Sequence, residues 1–176
     1  MGGKPYRDLE ACMDFVAREL PYADVDRALC LGGSYGGGMV LWIAGQPLAK
    51  RFKAMMCHAP VMFGASTAYA SDIPSQWQRL AGSGSDDVGN ILAMMDRWDP
   101  SRYAQNWTTP LFLTHGGRDN RCPVQVSLAA FAQCQFRGIE SKLLVFPDES
   151  HFILKPDNAY HWYREVIAWM DKFAKN

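Results

Sequence analysis

The chain has no excess of charge of either sign and no long apolar run. Its 176 residues carry 18 lysines and arginines against 18 aspartates and glutamates, a formal net charge of +0. A neutral chain offers no electrostatic basis for binding nucleic acid or an anionic membrane, so neither partner is expected. No segment approaches the roughly 18–20 apolar residues of a membrane span. The composition, 48% hydrophobic and 20% charged, is that of one globular domain.

The five cysteines form no recognisable metal or disulfide pattern. Their number is odd and no two stand in a C-x-x-C arrangement. We therefore expect reduced, mostly buried thiols and neither a metal site nor a disulfide framework. The first seven residues are polar and glycine-rich, so a signal peptide is not expected there. A cytoplasmic location is favoured by these features, although the compartment itself is not determined by them.

A G-x-S-x-G pattern, Gly32-Gly33-Ser34-Tyr35-Gly36, stands between an apolar run and a helix-like stretch. This context predicts a nucleophile elbow, a sharp strand-to-helix turn that exposes the hydroxyl of Ser34. Small neighbours are needed because the strand and helix backbones pass close to each other. The backbone N–H of Tyr35 would lie at the helix N-terminus, where it can donate to an oxyanion. A phosphate-binding turn and a tight connection without chemistry remain alternatives at this point.

Two polar residues downstream follow strand-like runs. Asp119 comes after the run 111–115 and a Gly-Gly turn, and His151 comes after the run 142–146 and a polar loop. Ligands of open α/β sheets bind outside the carboxyl ends of the strands, so Ser34, Asp119 and His151 are expected to meet there. The order serine, acid, histidine is that of α/β-hydrolases. The predicted chemistry is a triad in which His151 takes the serine proton and Asp119 orients the imidazole.

Three other histidines compete with His151. His58 ends another strand-like run and is therefore also expected near the site. His115 precedes the Gly-Gly turn and is interpreted as a structural residue. His161 falls within the last predicted helix and is interpreted as a surface or packing residue.

Two acidic residues directly before the histidine, Asp148 and Glu149, are alternatives to Asp119. A carboxylate that orients an imidazole must reach the ring nitrogen that faces away from the nucleophile. Asp148 and Glu149 are too close in sequence to His151 to reach that nitrogen comfortably. They therefore rank below Asp119 as the acid of the triad.

Strand-like and helix-like segments alternate along the chain, which predicts an α/β fold with a mostly parallel sheet and helices on both faces. The predicted strands are 27–31, 52–59, 111–115 and 142–146. The predicted helices are 9–20, a helix from the elbow to about 49, 88–97, 123–136 and 157–174. In the last helix the predicted apolar stripe comprises Tyr163, Val166, Ile167, Met170 and Phe173.

The segment 61–109 interrupts this alternation with an irregular, aromatic-containing stretch that includes the Gly- and Ser-rich run 82–87. An irregular insertion beside an active site is typical of a lid or a substrate wall. We therefore predict one domain, 1–176, with 61–109 as such an insertion; a simple surface excursion is the alternative. Candidates for a specificity pocket are Tyr35, Val61, Met62 and Trp77.

Taken together, these motifs resemble the catalytic domain of the prolyl oligopeptidase family of serine peptidases, particularly its dipeptidyl peptidases. The stretches that carry the resemblance are 32–37, 115–123 and 146–151, together with the tail from Phe152 through the last helix. The likeness covers almost the whole chain and implies the C-terminal half of an α/β-hydrolase fold. It implies a cofactor-free peptidase that cleaves short peptides through an acyl-enzyme. An esterase, an acylaminoacyl peptidase and a non-catalytic remnant that binds a partner are the alternatives.

The resemblance also implies that the chain is a C-terminal fragment. Members of the family carry a β-propeller and about four further strands before the segment that begins here, and a second oxyanion donor lies in that region. The nucleophile strand would then have one open edge, flanked by Leu29 and Leu31. The expected partners along this edge are a second copy of the chain, forming a homodimer, or the missing N-terminal segment. Weak activity of the isolated chain is expected as well.

Overall fold

The computed structural model describes residues 2–62, 65–80 and 88–175. A sheet of four parallel strands in the order β1-β2-β3-β4 forms its centre. The strands are β1 (Leu29–Gly33), β2 (Ala54–His58), β3 (Leu111–Gly116) and β4 (Ser141–Phe146). The helices are α1 (Gly3–Glu19), α2 (Tyr35–Ala44), α3 (Ala65–Ala70), α4 (Pro74–Leu80), α5 (Val88–Arg97), α6 (Gln125–Phe136) and α7 (Pro156–Ala174). Short 3-10 helices lie at Val25–Arg27, Pro47–Arg51 and Pro100–Asn106.

Helices cover both faces of the sheet, which confirms the predicted α/β architecture. Successive side chains of a strand point to opposite faces. Met55 and Leu113 therefore pack with α2 and α6 in one cluster of buried residues. Met56 and Phe112 point the other way and pack against α7 in a second cluster. The sheet is thus buried on both sides, as expected of parallel strands.

Several predicted elements have the right type but different ends. The helix after the elbow stops at Ala44 and does not continue to 49, because Gln46 is extended and Pro47 begins a separate 3-10 helix. β1 begins at Leu29, two residues after the predicted start, because residues 25–27 form a 3-10 turn capped by Asp24. Helix α1 begins at Gly3, before the first apolar residue of the predicted pattern.

The predicted apolar stripe of α7 was wrong in part. Tyr163 and Ile167 are 61% and 54% exposed, whereas Trp162 and Trp169 face the sheet. The two indoles donate hydrogen bonds, at 2.9 Å to Thr114 Oγ1 and at 3.1 Å to the carbonyl of Met55. These bonds satisfy the polar edge of each ring inside the protein and fix which side of the helix is buried. Among the described residues, α7 included, no helix combines the length and the apolar character that a membrane span requires.

In the described part of the irregular segment lie three helices, α3 to α5, and the 3-10 helix at 100–106. α5 agrees with the helix predicted at 88–97, but α3 and α4 were not predicted. Helices of six and seven residues are too short to show a clear hydrophobic period. The run 82–87 lies outside the described residues, and the insertion's proposed use as a lid stays a prediction.

Candidate active site

The turn between β1 and α2 has the geometry expected of a nucleophile elbow. Ser34 has φ 56° and ψ −121°, a backbone conformation that a residue other than glycine rarely adopts. Its N–H donates to the carbonyl of His58 at 2.8 Å, and its carbonyl accepts from the N–H of Gly38 at 3.0 Å. A Cβ on Gly32 would lie 2.4 Å from the carbonyl oxygen of Gly36, so only glycine fits at that position. A conformation of this kind costs on the order of 1–3 kcal/mol and persists because its surroundings hold it in place.

The structure brings Ser34, His151 and Asp119 together at the carboxyl edge of the sheet. Nε2 of His151 lies 2.9 Å from Ser34 Oγ, and Nδ1 lies 2.8 Å from Asp119 Oδ2. An ionised carboxylate only accepts hydrogen bonds, so Nδ1 carries the ring proton and Nε2 accepts from the serine hydroxyl. This arrangement is able to take a proton from Ser34 while the carboxylate stabilises the imidazolium that results.

The carboxylate of Asp119 is completely enclosed by donors. Its side chain is 0% exposed, and Oδ1 accepts from the backbone N–H groups of Arg121 at 2.8 Å and Cys122 at 2.9 Å. Nε2 of His115 lies 3.3 Å from Oδ2. Burial by itself would raise the pKa of Asp119, but hydrogen bonds from His115, His151 and the Cys122 N–H outweigh it. They hold the pKa well below its usual range.

The two rival acids are engaged elsewhere. Asp148 forms an ion pair with Lys155 and accepts from Asn158 at 3.1 Å. Glu149 is buried and accepts from the backbone N–H groups of Leu154 and Lys155 at 3.1 and 2.9 Å. Burial opposes ionisation of Glu149, yet these bonds and one from Asn158 lower its pKa. Both acids therefore brace the loop that carries the histidine, and Asp119 is the one that contacts the ring.

His115 lies closer to the site than the sequence suggested. It is 0% exposed, and Nδ1 accepts from Ser127 Oγ at 2.7 Å. The proton on Nε2 points to the carbonyl of Cys122 at 2.8 Å, with Asp119 Oδ2 as a second, longer acceptor at 3.3 Å. The ring thus supports the loop that presents Asp119. A histidine at the carboxyl end of an apolar strand is the sequence signal for such a position. His161, by contrast, is a half-buried residue of α7 whose ring packs edge-on against Phe146.

The four residues proposed for a specificity pocket differ in their exposure and in what they contact. Tyr35 is the first residue of α2 and is 42% exposed beside the nucleophile. Val61 is 4% exposed and packs in a small buried cluster with Cys122, beneath the elbow. Met62 is half-buried against the core, and the side chain of Trp77 lies outside the described residues. Their part in substrate selection remains a prediction.

Residues 2–62, 65–80 and 88–175 contain no group of three or more His, Cys, Asp or Glu side chains arranged to hold a metal ion. The groups that meet at the sheet edge are a hydroxyl, an imidazole and a carboxylate. A parallel sheet that presents a serine on a strand–turn–helix elbow, followed in sequence by an acid and a histidine, has the form of an α/β-hydrolase.

Comparison with known proteins specifies the family. The sequence profile of the Prolyl oligopeptidase family matches residues 1–176, and the chain belongs to this family of serine peptidases. It is 37% identical over 175 residues to dipeptidyl-peptidase 5 of Schizosaccharomyces pombe, covering 99% of this chain and 25% of that protein. Identity to dipeptidyl-peptidase 5 of Aspergillus fumigatus is 34%, covering 98% of this chain and 24% of that protein.

A solved structure has the same fold. The uncomplexed acylaminoacyl peptidase of Pyrococcus horikoshii matches with a TM-score of 0.85 and 25% identity, covering 99% of this chain and 28% of that one. The α/β-hydrolase fold predicted from the motifs is thereby confirmed. The chain spans about a quarter of the length of the curated relatives it matches.

Proposed function

We propose that this chain carries the catalytic triad of a serine peptidase, with Ser34 as nucleophile, His151 as base and Asp119 as acid. The observation that carries the proposal is the unbroken hydrogen-bond chain from Ser34 Oγ through the imidazole to the carboxylate, at 2.9 and 2.8 Å. Membership of a serine peptidase family supports the same chemistry. Identity to dipeptidyl-peptidases supports removal of dipeptides from short peptides as the reaction.

Acylation forms a bond between Ser34 Oγ and the carbonyl carbon of the scissile peptide, while Nε2 of His151 takes the hydroxyl proton. Asp119, whose low pKa keeps it ionised at neutral pH, balances the charge of the imidazolium. When the tetrahedral intermediate collapses, the carbon–nitrogen bond breaks and His151 returns the proton to the leaving amine. Water then attacks the acyl-enzyme with the same base, which releases the acid and restores Ser34.

The elbow offers Tyr35 as an oxyanion donor. The N–H of Ser34 donates to the carbonyl of His58 and does not serve this purpose. Tyr35 begins α2, and backbone N–H groups at a helix N-terminus favour negative charge. One oxyanion donor contributes roughly 10²–10³-fold in rate in well-studied hydrolases.

Removal of acylated amino acids is a second candidate, favoured by the likeness to the acylaminoacyl peptidase. The three proposed catalytic residues do not distinguish the two, since any acyl group that fits can form the acyl-enzyme. A panel of dipeptide amides, acetylated amino acid amides and short esters, compared by kcat/KM, separates dipeptidyl peptidase, acylaminoacyl peptidase and esterase activity.

A fluorophosphonate probe tests the proposal on the 176-residue chain, because it needs only an activated serine. Ser34 Oγ would form a bond to phosphorus, the phosphorus–fluorine bond would break, and the proton would leave with fluoride. We expect one adduct by exact mass, located on the peptide that contains Ser34. Ser34→Ala should fold and lose the adduct, whereas Ser75→Ala, which alters an exposed serine of α4, should keep it. A chain that binds partners without catalysis would give no adduct.

A further inference from the structure

We infer that His58 is a positioning residue for the proposed triad, and that its imidazole holds the backbone of His151 against the end of β2. The inference rests on the proposed function of Ser34, Asp119 and His151. His58 is the last residue of β2 and pairs in register with Thr114 of β3. Its side chain thus starts from the rigid centre of the sheet and reaches the loop that carries the base.

The hydrogen bonds around the ring run in one direction. Nε2 of His58 lies 2.9 Å from the carbonyl oxygen of His151, and Nδ1 lies 2.9 Å from Thr114 Oγ1. A carbonyl oxygen only accepts, so Nε2 carries the proton and Nδ1 accepts from the threonine hydroxyl. That hydroxyl in turn accepts from the indole N–H of Trp162 at 2.9 Å. The donors and acceptors in this series of hydrogen bonds are all paired only when His58 is neutral with its proton on Nε2.

The surroundings keep His58 in this form. Burial is the main cause of the lowered pKa of His58 and outweighs the hydrogen bond to the His151 carbonyl, which raises it. The nearby His115 and His151 rings lower the pKa further, and the charge of Asp119 acts against them. The indole of Trp162 packs edge-on against the ring, with centroids 5.8 Å apart. The ring is therefore neutral at neutral pH and has a fixed orientation.

The loop after His151 has few apolar anchors of its own. Phe152 and Leu154 are 63% and 76% exposed. An open pocket of about 220 Å³, bordered by this loop, His58 and Trp162, lies beside the ring. Glu149 secures the loop at Leu154 and beyond, but the carbonyl of His151 is held by His58.

The same residue also holds the nucleophile. The backbone carbonyl of His58 accepts from the N–H of Ser34 at 2.8 Å, while its side chain binds His151. His58 therefore sets the distance between nucleophile and base from one point of the sheet. A misplacement of about 1 Å at such a site can cost about 10²-fold in rate.

Two substitutions at His58 separate positioning from general packing. Glutamine places an amide N–H near the position of Nε2 and can still donate to the carbonyl of His151. Asparagine reaches only the position of Nδ1 and loses that bond. We expect His58→Gln to react with the fluorophosphonate probe within about threefold of the unchanged chain, and His58→Asn to react about 10- to 100-fold more slowly. His161→Gln, at a half-buried position of α7 where the ring pairs with Glu165 and packs on Phe146, is the control and should react at the unchanged rate.

The labelling rates of the variants are compared over a range of pH. Each rate is normalised to the folded fraction of the variant, measured by circular dichroism. Slowing of His58→Asn across the whole range, with rescue by glutamine, supports the inference. Equal rates for the asparagine and glutamine variants overturn it. The titratable groups near His58, namely His115, His151, Asp119 and the adjacent Tyr163, are the same in both variants, so they do not account for a difference.

Nuclear magnetic resonance of the unchanged chain tests the inference without activity or mutation. Nitrogen-15 shifts should report His58 as neutral with its proton on Nε2 at pH 7; a proton on Nδ1 would overturn the inference. The far-downfield proton on Nδ1 of His151 should persist in His58→Gln and shift or broaden in His58→Asn. If the unchanged chain forms no adduct, the proposed function of Ser34 fails. These resonances would still test whether His58 binds the backbone of His151.

Discussion

Gly116, at the end of β3, meets the backbone of Ser150 so closely that a Cβ on Gly116 would lie 1.8 Å from the Ser150 carbonyl oxygen. The loop that carries His151 therefore lies directly on the strand that leads to Asp119. This close approach helps to bring His151 into contact with Asp119. It requires that residue 116 has no side chain.

We expect Gly116→Ala to destabilise the chain by about 1–3 kcal/mol, because the backbone of the loop must move to admit the methyl group. The free energy of unfolding from urea titration is the measurement. Gly36→Ala is the matched control, since a Cβ there would have nothing within 4 Å. Alanine in a helix is favoured over glycine by roughly 0.5–1 kcal/mol, so this variant should be unchanged or slightly more stable. Equal losses in both variants would contradict the importance of the Gly116–Ser150 contact.

Asp119→Asn should reduce the rate of fluorophosphonate labelling by orders of magnitude. An amide in place of the carboxylate favours the wrong imidazole tautomer and cannot balance the imidazolium charge; in well-studied proteases the loss is about 10⁴-fold. Asp148→Asn is the control, because that carboxylate binds Lys155 and not the ring. A near-normal rate for Asp119→Asn would assign the acid to another residue.

The same carboxylate should contribute to stability in a way that depends on pH. Its folded-state pKa is lowered from an unfolded value of about 3.9, so the contribution is present above that value. It is lost as the pH falls through the folded pKa. We expect the unchanged chain to exceed Asp119→Asn in unfolding free energy at pH 7, and the difference to shrink progressively from about pH 5 towards pH 2. A difference that grows on acidification would show that the sign is wrong.

One thiol should react quickly in the folded chain. Cys12 is exposed, whereas Cys57, Cys122 and Cys134 are buried. Burial raises the pKa of Cys30 and Cys122 to about 12 and that of Cys134 to about 11, which removes the reactive thiolate at neutral pH. Titration with a disulfide reagent should show one fast thiol, and five after unfolding in urea. Cys12→Ser should abolish the fast phase; its persistence would place the reactive thiol elsewhere.

The edge strand β1 should promote self-association. In the described part of the chain β1 pairs only with β2, and its Leu31 is 41% exposed. An open strand edge with apolar side chains can pair with another chain. We expect sedimentation velocity to show a dimer or larger species, and Leu31→Lys to shift the population towards monomer. Leu128→Lys alters an equally exposed leucine, 46%, on α6 and should leave the distribution unchanged. A monomer at all concentrations would contradict this prediction.

The local sequence was sufficient to predict the tight turns that carry two of the site residues. Gly32 before Ser34 and the Gly-Gly turn before Asp119 could be interpreted from the residues alone, because they mark tight backbone turns at strand ends. The alternation of strands and helices likewise indicated a parallel sheet. The end of a helix was less predictable where a short 3-10 helix followed, as at Pro47. The helices α3 and α4 were too short for their hydrophobic periodicity to be recognised.

The order of residues along the chain was enough to predict polar side chains at strand ends, in the order serine, acid, histidine. Which of the four histidines contacts which partner depends on the three-dimensional packing of the sheet. His58 and His115 each lie at the carboxyl end of an apolar strand, but the register of β2, β3 and β4 sends one to the carbonyl of His151 and the other to Asp119. Such contacts join residues 93 apart for His58 and His151. They follow from strand pairing and packing over the whole sheet, which no local pattern of residues encodes.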